Sequence, residues 1–196
     1  MGAEVIGMAA SASLLAGWRL YLTALIVGLA MRWGWIALPE QLAGLEILAN
    51  PWVLGVAGIG AVAEFLADKI MLVDSLWDGM HTFLRPVGGA LLSLAVIDPG
   101  EPVGQALVFL MGGGAAFMTH AAKAATRLAI NTSPEPFSNI AVSTGEDVAT
   151  AGLLALALAY PVTAAAIALA LLALMIWLLF VLRRFVARLF RRGRTV

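Results

Sequence analysis

The feature that most constrains this chain is a series of six apolar stretches, each close to the length that crosses a bilayer. They cover about 11–31, 52–72, 80–97, 103–130, 140–160 and 162–182. A transmembrane helix needs roughly 20 consecutive, mostly apolar residues. Proline residues punctuate several boundaries, where a helix can lose an N–H group at little cost. The sequence therefore predicts an all-α, polytopic transmembrane helix bundle of about six spans.

The composition excludes a water-soluble globular domain. Hydrophobic residues make up 62% of the 196 positions and charged residues only 12%, whereas soluble domains have about 45–50% and about 25%. We therefore expect a single transmembrane domain over residues 1–182, with the lipid bilayer as its main partner. Because cysteine is absent, disulfide bonds, thiolate metal ligands and a cysteine nucleophile are excluded.

The distribution of basic residues predicts an orientation in the membrane. Six of the 12 Lys and Arg residues lie in the last fourteen positions, which we interpret as an Arg-rich cytoplasmic tail over 183–196. Short basic flanks stay on the cytoplasmic side, and six crossings then place the N-terminus on that side as well. The tail is also expected to contact anionic lipid headgroups.

Ionisable residues inside or beside the spans are the candidate functional residues, because each costs about 2.5–3.5 kcal/mol at bilayer depth and so needs a partner, water or a function. The first group joins the second and third spans and contains Glu64, Asp68, Lys69, Asp74, Asp78, His81 and Arg85. The last four follow a spacing of four, three and four, which places them on one helix face. Pro86 follows directly, so we expect a broken or re-entrant segment near 74–90.

The second group joins the fourth and fifth spans. It contains His120, Lys123, Arg127, Asn131, Glu135, Asn139, Glu146 and Asp147. The first three repeat a spacing of three and four, which gives a basic helix face opposite the acidic one. The Pro-, Ser- and Asn-rich stretch after them cannot continue a helix, and such backbone at membrane depth must be shielded by protein or line a cavity. We therefore expect a second broken or re-entrant segment near 131–147.

A weak internal repeat relates the two groups. Residues 60–69 can be aligned with residues 114–123, which superimposes Lys69 on Lys123. Paired broken segments in corresponding positions of two halves are typical of a transporter binding site. The repeat predicts a polar core between two hairpins, with acids on one side and bases on the other.

Two functions fit this pattern. The first is a small transporter or channel for a small ion, a proton or an ion-coupled solute, with Glu64 or Asp68 as the coupling carboxylate. Arg85 and Arg127 would then act as a gate or hold an anionic substrate. The second is a non-catalytic membrane scaffold or lipid-handling protein, in which the same charges form structural ion pairs.

Metal-site and enzyme interpretations have less support. Carboxylate and imidazole side chains can bind a divalent cation, and the residues that could do so are Glu64, Asp68, Asp78, His81 and His120. The stretch from Asp74 to Gly79 is similar to the start of the phosphatidyl-alcohol transferase motif, but no acid follows before Asp98. No His-Glu-x-x-His motif or nucleophile elbow occurs either. We therefore expect no catalytic residues, no cofactor and no nucleic-acid partner.

The same polar blocks carry a resemblance that extends from about Gly17 to Pro161. The blocks are Glu64-Phe-Leu-Ala-Asp68-Lys69, Asp74-Ser-Leu-Trp-Asp78, His81-Thr-Phe-Leu-Arg85-Pro86, His120-Ala-Ala-Lys123 and Asn131-Thr-Ser-Pro-Glu-Pro-Phe-Ser-Asn139. They resemble an uncharacterised bacterial integral-membrane family, domain of unknown function four-one-two-six. The resemblance implies a bacterial inner-membrane protein and carries over no activity.

The small-residue helix faces also permit a homo-oligomer.

Overall fold

The computed structural model describes residues 3–34, 46–97, 100–130 and 136–192, and these residues form α-helices with no strand among them. The helices are α1 (Ala3–Trp18), α2 (Leu20–Arg32), α3 (Pro51–Ala67), α4 (Met71–Val96), α5 (Pro102–Ile130), α6 (Pro136–Ala159) and α7 (Pro161–Arg192). The predicted all-α bundle is confirmed. In the described part of the chain, three segments are long and apolar enough to cross a membrane, namely Pro102–Leu128, Phe137–Ala159 and Pro161–Leu178.

The bundle is apolar outside and charged inside. Trp52, Phe83 and Met111 are 85%, 80% and 75% exposed, whereas Arg85 and Lys123 are fully buried. Extended apolar surface of this kind is unfavourable in water but not against lipid tails. The distribution of side chains is therefore that of a protein solvated by lipid.

Antiparallel packing defines two ends of the bundle. The end of α4 at Val96, the start of α5 at Pro102 and the junction of α6 and α7 at 160–161 lie at one end, which we call the turn end. The connection at 68–70 lies at the opposite end, toward which α7 runs, and we call this the tail end. In α5, Gly113 packs on Pro86 of α4, whereas Arg127 pairs with Asp74 near the start of α4; the two helices are therefore antiparallel.

The first expected span, 11–31, is two helices that meet at Arg19, whose backbone is not helical (φ −142°, ψ 81°). At the turn end, Gly7 of α1 lies against the backbone of Val162, and Gly28 of α2 lies against Leu48. Both helices therefore extend from the turn end to a common apex at Arg19.

Neither arm of this hairpin is long enough to cross the bilayer. Helices α1 and α2 contain 16 and 13 residues, which correspond to about 24 Å and about 20 Å, whereas the hydrocarbon core is about 30 Å thick. Eleven residues of α1 are buried, so this arm forms the centre of the bundle. The first apolar stretch is therefore a helical hairpin that begins and ends at the turn end.

The interruption expected near 74–90 is not present. Helix α4 runs unbroken from Met71 to Val96 with Pro86 inside it. One proline removes a single helical hydrogen bond, and neighbouring helices compensate for that loss in membrane proteins. Of the segment expected near 131–147, residues 136–147 are helical as part of α6, and residues 131–135 lie outside the described residues.

The structure also bears on two further expectations, the internal repeat and the domain boundary at residue 182. Lys69 follows the end of α3, whereas Lys123, its partner in the proposed repeat, lies inside α5; the repeat stays a prediction. Helix α7 continues to Arg192, so the expected domain boundary at 182 falls within a helix.

Small residues allow α1, α4 and α5 to pack closely. A Cβ atom at Gly112 of α5 would lie 2.6 Å from Ser93 Cβ and 2.9 Å from the Gly89 carbonyl oxygen of α4. From α1, Ser13 Oγ donates to the Gly89 carbonyl oxygen at 3.0 Å and lies 2.6 Å from Ser93 Oγ. This close approach brings the polar faces of the three helices together.

Candidate functional site

The structure brings the two predicted groups of ionisable residues into one cluster, and it adds Arg19. We call this the charge cluster; it consists of six acids and five bases, namely Glu64, Asp68, Asp74, Asp78, Glu146, Asp147, Arg19, Lys69, Arg85, Lys123 and Arg127. Nine of the eleven are buried. The exceptions are Lys69 and Asp147, whose side chains are each 19% exposed.

The predicted polar face of α4 faces the interior. Asp74, Asp78, His81 and Arg85 are all at least 95% buried, as their helical spacing requires. Arg85 joins two carboxylates, because it donates to Glu64 Oε1 at 2.7 Å and to Asp78 Oδ1 at 3.0 Å. Helices α3 and α4 are therefore connected through one guanidinium group.

Asp68 lies directly after α3 and links three other parts of the bundle. Its Oδ2 accepts from Arg19 at 2.6 Å and from Lys123 at 3.0 Å. Its backbone carbonyl accepts from Arg127 and from Asn139 Nδ2, the latter at 3.1 Å. Asp68 thus joins the hairpin apex to α5 and α6.

The tail-end side of the cluster is also ion-paired. Arg127 of α5 lies 3.1 Å from Asp74 of α4. Lys69 lies 2.8 Å from Asp147 of α6, and Arg19 contacts the other oxygen of Asp147 at 2.6 Å. Each of the five cations therefore has a carboxylate within 3.1 Å.

His120 is held as a neutral imidazole by its hydrogen bonds. Arg85 lies 2.7 Å from His120 Nδ1, and because a guanidinium group can only donate, Nδ1 must be the acceptor. The ring proton is then on Nε2, which faces Thr82 Oγ1 at 3.3 Å. This assignment follows from the partners and requires no charge on the ring.

His81 has the opposite tautomer. Its Nδ1 lies 2.8 Å from the Trp77 carbonyl oxygen, which can only accept, so Nδ1 carries the proton. Its Nε2 lies 3.0 Å from the Tyr21 hydroxyl, which therefore donates to it. The ring also stacks on Trp77 with 4.4 Å between centroids. His81 is connected to the hairpin through Tyr21 of α2.

The carboxylates of the cluster are paired but not saturated. Four buried oxygen atoms have no hydrogen-bond partner among the described residues, namely Glu64 Oε2, Asp68 Oδ1, Asp78 Oδ2 and Glu146 Oε2. Leaving such an atom unsatisfied costs about 1–3 kcal/mol. The cluster therefore keeps acceptor capacity for a proton, a cation or a solute with donor groups.

A cavity of about 220 Å³ between α4 and α5 borders the cluster. It is lined by Asp74, Ser75, Asp78, Gly79 and Thr82 from α4 and by Ala124, Arg127 and Leu128 from α5. A water molecule occupies about 30 Å³ in the liquid. The cavity is therefore large enough for water or a small ion to reach the edge of the cluster.

The geometry does not favour the divalent-cation interpretation. Among the described residues, no three His, Asp or Glu side chains form a group that could hold a metal ion. The reason is that cationic side chains occupy the spaces between the carboxylates, as Arg85 does between Glu64 and Asp78. The candidate site is therefore an array in which carboxylates alternate with cationic side chains.

The structure also shows what sequence reasoning missed. Arg19 and Tyr21 belong to the site although they were not among its predicted residues, and the signal was available, because a lone arginine in the apolar stretch 11–31 needs a buried partner. Two predicted site residues, Asn131 and Glu135, lie outside the described residues.

A family model described as Domain of unknown function (DUF4126) matches residues 6–181. The chain belongs to this family. The DUF4126 match spans α1 to α6 and most of α7, so it includes the whole charge cluster. No curated protein and no solved structure matches the chain.

Proposed function

We propose that this protein is a small membrane transport protein, a transporter or channel, whose charge cluster is the site for a small ion or an ion-coupled solute. The observation that carries the proposal is the burial of nine ionisable side chains inside a bundle with an apolar exterior. Buried ion pairs can usually be replaced by apolar residues without loss of stability. A cluster of this size is therefore better explained by function than by folding.

Two structural features next to the cluster support the proposal. The re-entrant hairpin extends from the turn end and its apex, Arg19, contacts the cluster, while the cavity between α4 and α5 borders the cluster nearer the tail end. Re-entrant and discontinuous helices that meet at a polar centre are typical of channels and transporters.

The contacts suggest which of the two proposed coupling carboxylates is less constrained. Asp68 is fixed by two cations, Arg19 and Lys123. Glu64 contacts one cation, Arg85, through a single oxygen, and its second oxygen has no hydrogen-bond partner among the described residues. Glu64 is therefore the better candidate to exchange an ion, with Arg85 as the adjacent gate.

The proposed location is the bacterial inner membrane, with the Arg-rich tail in the cytoplasm next to anionic lipids. Helices α3 to α7 alternate in direction between the two ends of the bundle, whereas α1 begins and α2 ends at the turn end. We therefore propose that the N-terminus lies on the side opposite the tail, in place of the earlier expectation that both termini are cytoplasmic. A homo-oligomer stays a prediction.

A scaffold or lipid-handling protein is the second candidate function. It is favoured by the pairing of each cluster cation with a carboxylate within 3.1 Å, which is the arrangement that internal braces require. In this case the cluster would hold α3 to α6 together and no ion would pass through it.

Flux through the purified protein in liposomes separates the two functions. Under an imposed proton or cation gradient, we expect the wild-type protein to carry flux and Glu64→Gln to lose at least tenfold in flux per folded protein. Arg85 keeps Asp78 as a counter-ion in this variant, and the folded fraction is measured on the same preparation. Glu101→Gln, which changes an exposed acid at the turn end, is the matched control and should retain full flux. Wild-type flux equal to that of empty liposomes would refute the transport function.

A further inference from the structure

We infer that Glu146 holds an exchangeable proton in the resting protein and is the proton-binding group of the charge cluster. The inference rests on the proposed transport function and deepens it by naming the proton as one ligand of the cluster, held at a carboxyl group separate from Glu64. It is supported by a charge count and by the contacts of each carboxyl group.

The charge count leaves one carboxyl group without a balancing cation. The described residues of the cluster comprise six acids and five bases, and both imidazoles are neutral by their hydrogen bonds. Setting aside the more exposed pair of Lys69 and Asp147 leaves five acids and four bases. A buried carboxylate without a counter-ion tends to take up a proton, so one acid of the cluster is neutral.

The contacts identify Glu146 as that acid. The other five carboxyl groups each have a cation within 3.1 Å, as shown by Glu64, Asp68, Asp74, Asp78 and Asp147. The nearest cation to Glu146 is Arg19 at 3.9 Å, and the same Arg19 is already bound to Asp68 and Asp147 at 2.6 Å. Glu146 is only 8% exposed, and its Oε2 has no hydrogen-bond partner in the described part of the chain.

Within the described ranges, the elements packed around Glu146 offer no further counter-ion. The charged groups that face it are Arg19 at the hairpin apex, Lys123 and Arg127 from α5 and Asp68 after α3. Lys123 and Arg127 are paired with Asp68 and with Asp74. Residues 161–178 of α7, which pack beside α6, contain no ionisable residue.

The position of Glu146 also gives the proton a role in the site. When the O–H bond breaks and the proton leaves, the carboxylate that remains competes with Asp68 and Asp147 for Arg19. Movement of Arg19 toward Glu146 would displace the apex of the re-entrant hairpin. Thr150 lies four residues after Glu146, on the same face of α6. It is fully buried, and its hydroxyl group has no hydrogen-bond partner among the described residues. Thr150 is therefore the next polar group along this face of α6, in the direction of the turn end.

Infrared spectroscopy of the full chain in liposomes without a gradient tests the inference. A protonated carboxyl group gives a carbonyl band that carboxylates lack, and the band shifts in heavy water if the proton exchanges. In sodium-free buffer near neutral pH, we expect one such band in the wild-type protein, its loss in Glu146→Gln and its retention at a shifted position in Glu146→Asp. Glu101→Gln is the control and should leave the band unchanged.

Two outcomes would overturn the inference. The first is the absence of a protonated-carboxyl band in the wild-type protein, which would mean that a cation or no ligand balances the charge. The second is a band that stays unchanged in Glu146→Asp, a variant that keeps the carboxyl group and so is expected to fold even if Glu146→Gln does not. Because the band is measured without flux, its presence in a protein that carries no flux would refute the transport function and leave the proton site standing.

Discussion

Replacement of Asp68 by asparagine removes a carboxylate that two buried cations share. Arg19 and Lys123 lie 2.6 Å and 3.0 Å from the same oxygen, Oδ2, and none of the three side chains is more than 2% exposed. Asparagine keeps the shape of the side chain, removes its charge and replaces one acceptor oxygen by an amide donor. The expected loss of stability is therefore electrostatic and does not arise from repacking.

The distances set the size of the effect. With an effective dielectric constant of about 20, the two pairs have gross Coulomb energies of about 6 and about 5.5 kcal/mol, and desolvation offsets part of each. Removal of one partner of a buried ion pair costs about 3–5 kcal/mol. Since ionisation of Glu146, 3.9 Å from Arg19, can supply a replacement charge, we expect Asp68→Asn to destabilise by about 3 kcal/mol.

Reversible unfolding in detergent micelles, followed by circular dichroism across a denaturing-detergent titration, measures this difference. Glu101→Gln is the matched control, because it removes an exposed acid outside the cluster and should change the free energy of unfolding by less than about 0.5 kcal/mol. If Asp68→Asn also changed the free energy of unfolding by less than about 0.5 kcal/mol, the ion pairs of Asp68 would not stabilise the bundle and the electrostatic reasoning would be wrong.

Two other predictions test the packing and the topology. Gly112→Val should lower the free energy of unfolding by about 2 kcal/mol or more, because the valine side chain would overlap α4. The control, Gly114→Val, faces open space and should change the free energy of unfolding much less. Equal changes in the two variants would contradict the close packing of α4 and α5. Because the chain has no cysteine, single-cysteine labelling in oriented vesicles can locate the ends: Glu4→Cys and Glu101→Cys should react from one side and Arg184→Cys from the other. Labelling of Glu4→Cys and Arg184→Cys from the same side would rule out the hairpin topology.

Helical periodicity predicted the polar faces correctly. Asp74, Asp78, His81 and Arg85 follow a spacing that only one face of a helix can satisfy, and all four are buried on that face. The spacing of four between Glu64 and Asp68 also placed both inside the bundle, although Asp68 lies just after the end of α3. Which residues share a helix face depends only on their spacing along the chain, so the sequence determines it directly.

The partners of those faces could not be predicted in the same way. The pairing of Lys123 with Asp68 joins residues 55 positions apart, and nothing in the local spacing selects it over pairing with Glu64 or Asp74. The close approach of α4 and α5 at Gly89 and Gly112 determines the pairs. That approach is a tertiary property.

Backbone interruptions were the least predictable feature. Pro86 was expected to break α4, but the helix continues through it because neighbouring helices stabilise the bundle on both sides. Arg19 lies in an apolar stretch with no proline, yet the helix ends there. Its pairing with Asp68 and Asp147 explains the difference, since a buried guanidinium group that reaches two carboxylates favours a bend at that position.

The central claim is that the charge cluster is a transport site and not only a brace, and a paired measurement across cluster variants tests it most directly. Liposome flux and the unfolding midpoint would be determined on the same preparations of the wild-type protein, Glu64→Gln, Asp78→Asn and Glu146→Gln. Our account predicts that Glu64→Gln and Glu146→Gln lose at least tenfold in flux per folded protein, whatever the change in their unfolding midpoints. If flux instead falls only in proportion to the folded fraction in each variant, the cluster is a structural brace and the transport function is wrong.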